Sequence, residues 1–115
     1  LAGNVLGSLS LESLKFAVIE LGCSLIVVMG HENCGAVKAV MENKGRELLP
    51  NIYEQIEPFV IKEKTLEAGI KSNVLHVVDG LKESFQDQIN GDMLKVIGAV
   101  YHFQSGEVEF FDDKT

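Results

Sequence analysis

The sequence predicts an α/β domain in which helices flank a mostly parallel sheet that ends in an antiparallel hairpin. Three observations support this class. Residues 23–29 form a nearly continuous apolar run, which favours a parallel strand covered on both faces. Residues 72–90 repeat apolar side chains at helical spacing. Residues 94–111 have the pattern of two strands joined by a tight turn.

The composition excludes several classes of function. A chain of 115 residues can bury a single core, and its apolar share of 46% is that of a globular protein. The net charge of −7 argues against nucleic acid as a partner, and no apolar run is long enough to cross a membrane. Two cysteines are too few for a disulfide framework. We therefore expect one domain over residues 1–115, located in the cytoplasm.

The first helix is predicted between Ser8 and Gly22. Ser8 and Ser10 are both candidate N-caps, and Gly22 provides a stop signal. Apolar side chains recur between them at helical spacing, at Leu11, Leu14, Val18 and Leu21. The strand of residues 23–29 follows, and Cys23 at its start is expected to be a small core residue.

The remaining elements follow in order. A second helix is predicted from Asn33 or Cys34 to about residue 43, and a third lies between or across Pro50 and Pro58. The long helix becomes clear from residue 72, with one apolar stripe formed by Val74, Val78, Leu81, Phe85 and Ile89. His76 falls off this stripe and is expected to face solvent. The hairpin pairs residues 94–103 with 107–111, and His102 is expected at its surface.

A histidine and a cysteine directly follow the apolar strand. If a helix begins there, His31 and Cys34 lie one turn apart on the same side, and an imidazole with a thiolate suits zinc. The N-terminus of a helix favours a thiolate, and Gly35 would let backbone or substrate approach closely. Active sites of α/β sheets lie at the carboxyl ends of strands. The pattern fits either a metal thiolate or a nucleophilic cysteine.

Several segments together resemble the β-class carbonic anhydrases. The central match is the run Gly30-His31-Glu32-Asn33-Cys34-Gly35, which continues as Ala36-Val37-Lys38-Ala39. The other matching segments are Ala2-Gly3-Asn4, Ser10-Leu11-Glu12, Asn73-Val74, residues 96–101 and residues 106–110. The resemblance therefore covers nearly the whole chain.

This resemblance implies an activity and a site. Family members catalyse the zinc-dependent, reversible hydration of carbon dioxide to bicarbonate by a zinc-bound hydroxide. His31 and Cys34 match two of the three protein ligands of Zn²⁺. The third ligand belongs to a Cys-x-Asp-x-Arg motif on an upstream strand, and its aspartate and arginine orient the hydroxide. That motif does not occur in these 115 residues, so we expect no catalytic residue within this chain. The resemblance also implies a homodimer or tetramer.

The missing motif has a structural consequence. In the family its strand lies in the middle of the sheet, beside the strand matched by residues 25–30. Without it, several backbone groups lose their partners, each at about 1–3 kcal/mol, which would rival the stability of a small domain. The chain also begins at Leu1 without a methionine. We therefore expect a C-terminal part of a longer protein, whose ligand strand lies outside these residues or on another chain.

Three alternatives stay open. Related enzymes act on other small cumulated substrates, such as carbon disulfide. A non-catalytic family member could be a dimerising α/β domain with an incomplete zinc site. Finally, Cys34 could act as a nucleophile without metal, activated by the helix terminus and by His31.

Overall fold

The computed structural model describes residues 1–111 and contains five α-helices and three strands in that range. A short 3-10 turn at Ala2–Asn4 comes first. The following elements are α1 (Ser8–Lys15, continued by a π-helical segment at Phe16–Glu20), β1 (Leu25–His31), α2 (Gly35–Met41), α3 (Pro50–Val60), α4 (Leu66–Ser84), α5 (Gln86–Asn90), β2 (Lys95–Tyr101) and β3 (Val108–Phe111).

The sheet is mixed and has the order β1-β2-β3. β1 runs parallel to β2, in a register that pairs Leu25 with Lys95 and His31 with Tyr101. β3 runs antiparallel to β2 and pairs Val108 with Tyr101. The predicted hairpin is therefore confirmed, with a longer connection over residues 102–107. This parallel pairing brings the end of β1 beside the connection that follows β2.

Helix α4 packs across both parallel strands because two glycines let it approach. A Cβ atom added at Gly30 of β1 would lie 2.8 Å from Val74 Cγ2. A Cβ atom added at Gly98 of β2 would lie 2.7 Å from Val74 Cγ1. Real Cβ atoms do not approach so closely, so any larger residue at either position would push the helix away. The two glycines thus fix the separation of α4 from the sheet.

The core lies between this face of the sheet and helices α2, α3 and α4. Four residues of the predicted stripe are fully buried there, namely Val74, Val78, Leu81 and Phe85, while Ile89 is partly buried. The helix begins at Leu66, earlier than predicted, because Thr65 caps it: its Oγ1 accepts from the Ala68 N–H at 3.1 Å. Buried Asn73 donates from Nδ2 to the Gly3 carbonyl at 2.7 Å. This bond ties the N-terminal turn to α4.

Strand β1 is covered on one face, and the expectation of two covered faces is wrong. Ile26 and Val28 are buried toward α4, whereas Leu25 is 53% exposed and Met29 is 44% exposed. Within residues 1–111, no layer covers these exposed side chains and no strand pairs with the outer edge of β1. The place of the missing strand is therefore not filled by the described part of the chain.

Three predictions about single side chains are also wrong. Cys23 is exposed rather than buried, because β1 begins only at Leu25. His76 is half-buried rather than solvent-facing, because α4 packs against α3 and the imidazole stacks on Phe59 with ring centroids 3.7 Å apart. The N-cap position of α1 is Gly7, so neither predicted serine cap is used.

None of the helices in residues 1–111 combines the length and the hydropathy that a membrane-spanning segment requires.

Candidate metal centre

His31 and Cys34 lie on the two sides of one tight turn. His31 is the last residue of β1, and Cys34 occupies the N-cap position of α2 with 3% of its surface exposed. Glu32 and Asn33 form the turn, in which Asn33 adopts a φ of 58°, a left-handed conformation that asparagine tolerates. The helix begins at Gly35, so the prediction that a helical turn separates His31 from Cys34 is wrong. A strand-to-helix turn brings them to the same end of the sheet.

The imidazole of His31 is oriented by the backbone of this turn. Its Nδ1 lies 3.0 Å from the Glu32 carbonyl oxygen. A carbonyl oxygen only accepts hydrogen bonds, so Nδ1 is the donor in this contact, and in the neutral imidazole Nε2 is then the nitrogen with the lone pair. The Phe103 ring lies beside the imidazole, with centroids 5.2 Å apart. His31 thus has one nitrogen occupied by the protein and one suited to a metal ion.

The two glycines that flank this turn differ in their surroundings. Gly30 lies in close contact with α4, and its replacement by any other residue would disturb the position of His31. Around Gly35, nothing lies within 4 Å of the place where a Cβ would be. No described backbone approaches Gly35 at this position, and the expected approach of a substrate stays a prediction. Only Gly30 is required by the packing at this turn.

The donor set of the described chain suits zinc but is incomplete. Nitrogen from imidazole and sulfur from a cysteine are ligands that zinc accepts. Within residues 1–111, however, no three side chains of His, Cys, Asp or Glu are grouped closely enough to hold a metal ion. His31 and Cys34 thus fit zinc as part of a ligand set, and a tetrahedral site requires further donors.

Glu32 joins the turn to the connection that follows β2. Its Oε1 accepts from the Gln104 N–H at 3.0 Å, and its Oε2 lies 3.5 Å from Nδ1 of His102. Nε2 of His102 lies 3.2 Å from Glu109 Oε1. Sequence reasoning missed this network because Glu32 and Gln104, which it joins, are 72 residues apart. The register of β1 with β2 reveals the network, because it pairs His31 with Tyr101 and so places Glu32 beside the residues that follow β2.

The network shifts the pKa values of two of its members. The hydrogen bond from the Gln104 backbone, with a smaller contribution from His102, lowers the pKa of Glu32. The hydrogen bond to Glu109, with a smaller contribution from Glu32, raises the pKa of His102 above its ordinary value of 6.5. The carboxylates therefore stabilise a protonated His102 between them.

Two hollows border this region. A cavity of about 150 Å³ lies beside the turn and is lined by Glu32, Asn33, Leu66, Glu67, Ile70, Val100, His102 and Phe111. A groove of about 390 Å³ follows β1 and includes Asn4, Leu14 and residues 26–29. The Nδ2 atom of Asn4 is buried and has no hydrogen-bond partner among the described residues. A buried amide without an acceptor costs about 1–3 kcal/mol, so this donor calls for a partner.

Comparison with known proteins identifies the family. A family model described as "Carbonic anhydrase" matches residues 1–108. The chain is 27% identical to carbonic anhydrase 2 of Mycobacterium tuberculosis, covering 96% of this chain and 60% of that protein. It is 25% identical to carbonic anhydrase 1 of Escherichia coli O157:H7, covering 99% of this chain and 61% of the relative. The chain thus spans about 60% of the length of these curated relatives.

Solved structures agree with this assignment. The β-carbonic anhydrase CcaA superposes with a TM-score of 0.83 at 23% identity, over 96% of this chain and 65% of that one. The β-carbonic anhydrase CafA of Aspergillus fumigatus gives a TM-score of 0.72 at 26% identity, over 99% and 62% of the two chains. The α/β fold, the turn that carries His31 and Cys34, and the family match over residues 1–108 lead to one conclusion: this chain belongs to the β-carbonic anhydrase family.

Proposed function

We propose that His31 and Cys34 are two of the zinc ligands of an enzyme that interconverts carbon dioxide and bicarbonate. The observation that carries this proposal is the state of the His31 ring. Its Nδ1 donates to the Glu32 carbonyl, which leaves Nε2 free to bind metal at the end of a strand, where α/β enzymes have their sites. Family membership over residues 1–108 supports the reaction class.

The residues of the turn have separable roles in this proposal. His31, with Nδ1 donating to the Glu32 carbonyl, would hold zinc through Nε2, and Cys34 would hold it as a thiolate. Cys34 itself is 3% exposed, so little of its surface meets solvent in the described chain. Zinc, when bound, supplies a Lewis acid that makes water a nucleophile near neutral pH. The proposed substrate is carbon dioxide. Other small molecules with cumulated double bonds, such as carbon disulfide, are the alternative substrates for this chemistry.

The third protein ligand is proposed to arrive on a strand that pairs with the open edge of β1. The groove along β1 supports this, because it runs beside the backbone groups that such a strand would satisfy. Asn4, whose buried Nδ2 lacks an acceptor among residues 1–111, also lines this groove. A cysteine on that strand would approach the carboxyl end of β1, where His31 lies.

A non-catalytic family member is the second candidate. The specific observation in its favour is the absence of a third donor near His31 and Cys34 in the described part of the chain. The third candidate, a nucleophilic cysteine without metal, is disfavoured because reactive thiols are partly exposed and Cys34 is 3% exposed.

Zinc content separates these candidates. We expect about one zinc ion per chain in the protein at its natural length, and its loss in His31→Ala and Cys34→Ser together with carbon dioxide hydration. Cys23→Ser is the matched control, because Cys23 is exposed and distant from the turn in sequence, and it should keep both. Metal-free wild type with a rapidly alkylated Cys34 would instead support the nucleophile. Metal-free wild type with an unreactive thiol would support the non-catalytic role.

We also propose a homo-oligomer in the cytoplasm. Helix α1 has no buried residue, and its segment exposes Leu9, Phe16 and Ile19. Such a cluster of exposed apolar side chains is typical of an interface. A solved chain that superposes at a TM-score of 0.68 and 19% identity comes from work on two Sordaria macrospora β-carbonic anhydrases that are described as tetrameric. Both cysteines are free, which fits a reducing compartment. Sedimentation of a Phe16→Glu variant tests the interface, and an unchanged assembly would refute it.

A further inference from the structure

The turn between the two candidate ligands is attached to the β2–β3 connection by one carboxylate. Glu32 Oε1 accepts from the Gln104 N–H at 3.0 Å, and Oε2 lies 3.5 Å from His102 Nδ1. The backbone N–H of Glu32 also donates to the Tyr101 carbonyl at 2.9 Å. Glu32 is thus held at its backbone and at both carboxylate oxygens.

The partners of Glu32 are themselves fixed. The Gly106 N–H donates to the His102 carbonyl at 2.8 Å, and the His102 N–H donates to the Glu107 carbonyl at the same distance. Nε2 of His102 lies 3.2 Å from Glu109 Oε1, on strand β3. The connection is therefore a closed turn that can act as a rigid support.

Glu32 also determines the orientation of the His31 ring. Its carbonyl oxygen is the acceptor for His31 Nδ1 at 3.0 Å, so a movement of Glu32 moves the group that selects the tautomer. The next residue of the support, Phe103, contacts the same imidazole, with centroids 5.2 Å apart. Two adjacent residues of the β2–β3 connection thus hold two adjacent residues of the site: Phe103 contacts His31, and Gln104 binds Glu32.

We infer that Glu32 is a positioning residue, whose carboxylate fixes the turn and thereby the His31 tautomer that leaves Nε2 available to the metal. The role of zinc in this inference rests on the proposed function. The positioning of His31 by Glu32 rests on the geometry of residues 31–34 and 102–106. Groups that hold a metal-binding histidine typically change metal affinity about 10- to 100-fold when they are removed.

The test compares Glu32→Ala with Glu32→Gln, whose Oε1 still accepts from the Gln104 N–H. Glu107→Ala is the matched control, because it removes a carboxylate from the same connection. In the metal-free protein, Glu32→Ala should accelerate amide exchange in residues 32–34 and at Gln104 by about tenfold or more. The ¹⁵N shifts of the His31 ring should also lose the signature of a single Nδ1–H tautomer. Exchange in α4 should not change, which excludes global unfolding.

Zinc binding is the second readout. Glu32→Ala should raise the zinc dissociation constant about 10- to 100-fold, while Glu32→Gln and Glu107→Ala stay close to wild type. The inference is overturned if Glu32→Ala and Glu107→Ala have the same amide exchange rates and the same His31 tautomer. It is also overturned if Glu32→Ala speeds exchange in the turn without raising the zinc dissociation constant. A wild type that binds no zinc but shows the exchange and tautomer differences would contradict the proposed function and still support the positioning of His31 by Glu32.

Discussion

At the scale of single residues, His102 and His76 lie in opposite environments. His102 lies between Glu32 and Glu109, and the hydrogen bond to Glu109 is the main reason that its pKa is raised above 6.5. His76 is half-buried between Phe59 and Asn73, and burial lowers its pKa below 6.5. These imidazoles therefore favour opposite charge states within one small domain.

The pKa order is a direct prediction. In an NMR titration of the metal-free protein, the imidazole of His102 should titrate above 6.5 and that of His76 below it. Replacement of Glu109 by Gln should lower the pKa of His102, because its largest stabilising partner loses its charge. Equal pKa values for the two residues, or the reverse order, would contradict the described contacts.

The same shifts determine how each histidine affects stability. Because the folded pKa of His102 is raised, its contribution is complete below 6.5 and is lost as the pH rises through the folded pKa. His76 behaves oppositely: its contribution is present above 6.5 and is lost as the pH falls through its lowered folded pKa. Thermal unfolding should therefore show His102→Gln to be most destabilising on the acidic side of 6.5. A larger effect on the basic side would refute the contacts of His102.

At the scale of elements, Val74 of α4 determines which glycines the sheet needs. Its methyl groups fill the positions where Gly30 and Gly98 would carry Cβ atoms. Gly35, at the start of α2, has open space around it. Of the two glycines in this motif, Gly30 is therefore required for the packing of α4. Gly35 is not required for packing within the described chain.

Paired substitutions test this difference. Gly30→Ala should lower the free energy of unfolding by about 1–3 kcal/mol, because the added methyl group is forced against Val74. Gly35→Ala should range from neutral to about 1 kcal/mol stabilising, because alanine restricts the unfolded chain. Urea denaturation measures both, and equal losses in the two variants would contradict the packing of α4 on β1.

Some of the helices and strands could be predicted from the sequence and others could not. The apolar stripe of residues 72–90, the parallel strand and the hairpin follow from local sequence patterns, and the structure confirms the strand pairings and the buried stripe. The single helix predicted for that stripe is wrong, because the backbone at Phe85 leaves the helical conformation and divides it into α4 and α5. The early start of α4 at Leu66 and the half-buried position of His76 were missed, because they depend on the Thr65 cap and on packing against α3. For the site, the pattern selects His31 and Cys34. It does not select Glu32, whose partners are close only through the register of β1 with β2.

At the scale of the whole molecule, one side of the sheet is open. The outer edge of β1 has no strand partner within residues 1–111, and the groove along β1 is lined in part by Asn4, whose buried Nδ2 has no acceptor among these residues. The two candidate ligands lie at the carboxyl end of that same strand. We therefore expect completion of the sheet and completion of the zinc site to be a single event.

X-ray absorption at the zinc edge, on the protein at its natural length, shows whether His31 and Cys34 bind zinc. We expect sulfur scatterers at about 2.3 Å and nitrogen at about 2.0–2.1 Å from the metal. Both ligand variants should lose zinc on purification; reconstituted with excess zinc, Cys34→Ser should show one sulfur fewer and His31→Ala one nitrogen fewer, while Cys23→Ser keeps the wild-type spectrum. Zinc with the same sulfur count in wild type and Cys34→Ser, or zinc bound only by oxygen and nitrogen, would contradict the assignment of His31 and Cys34 as its ligands.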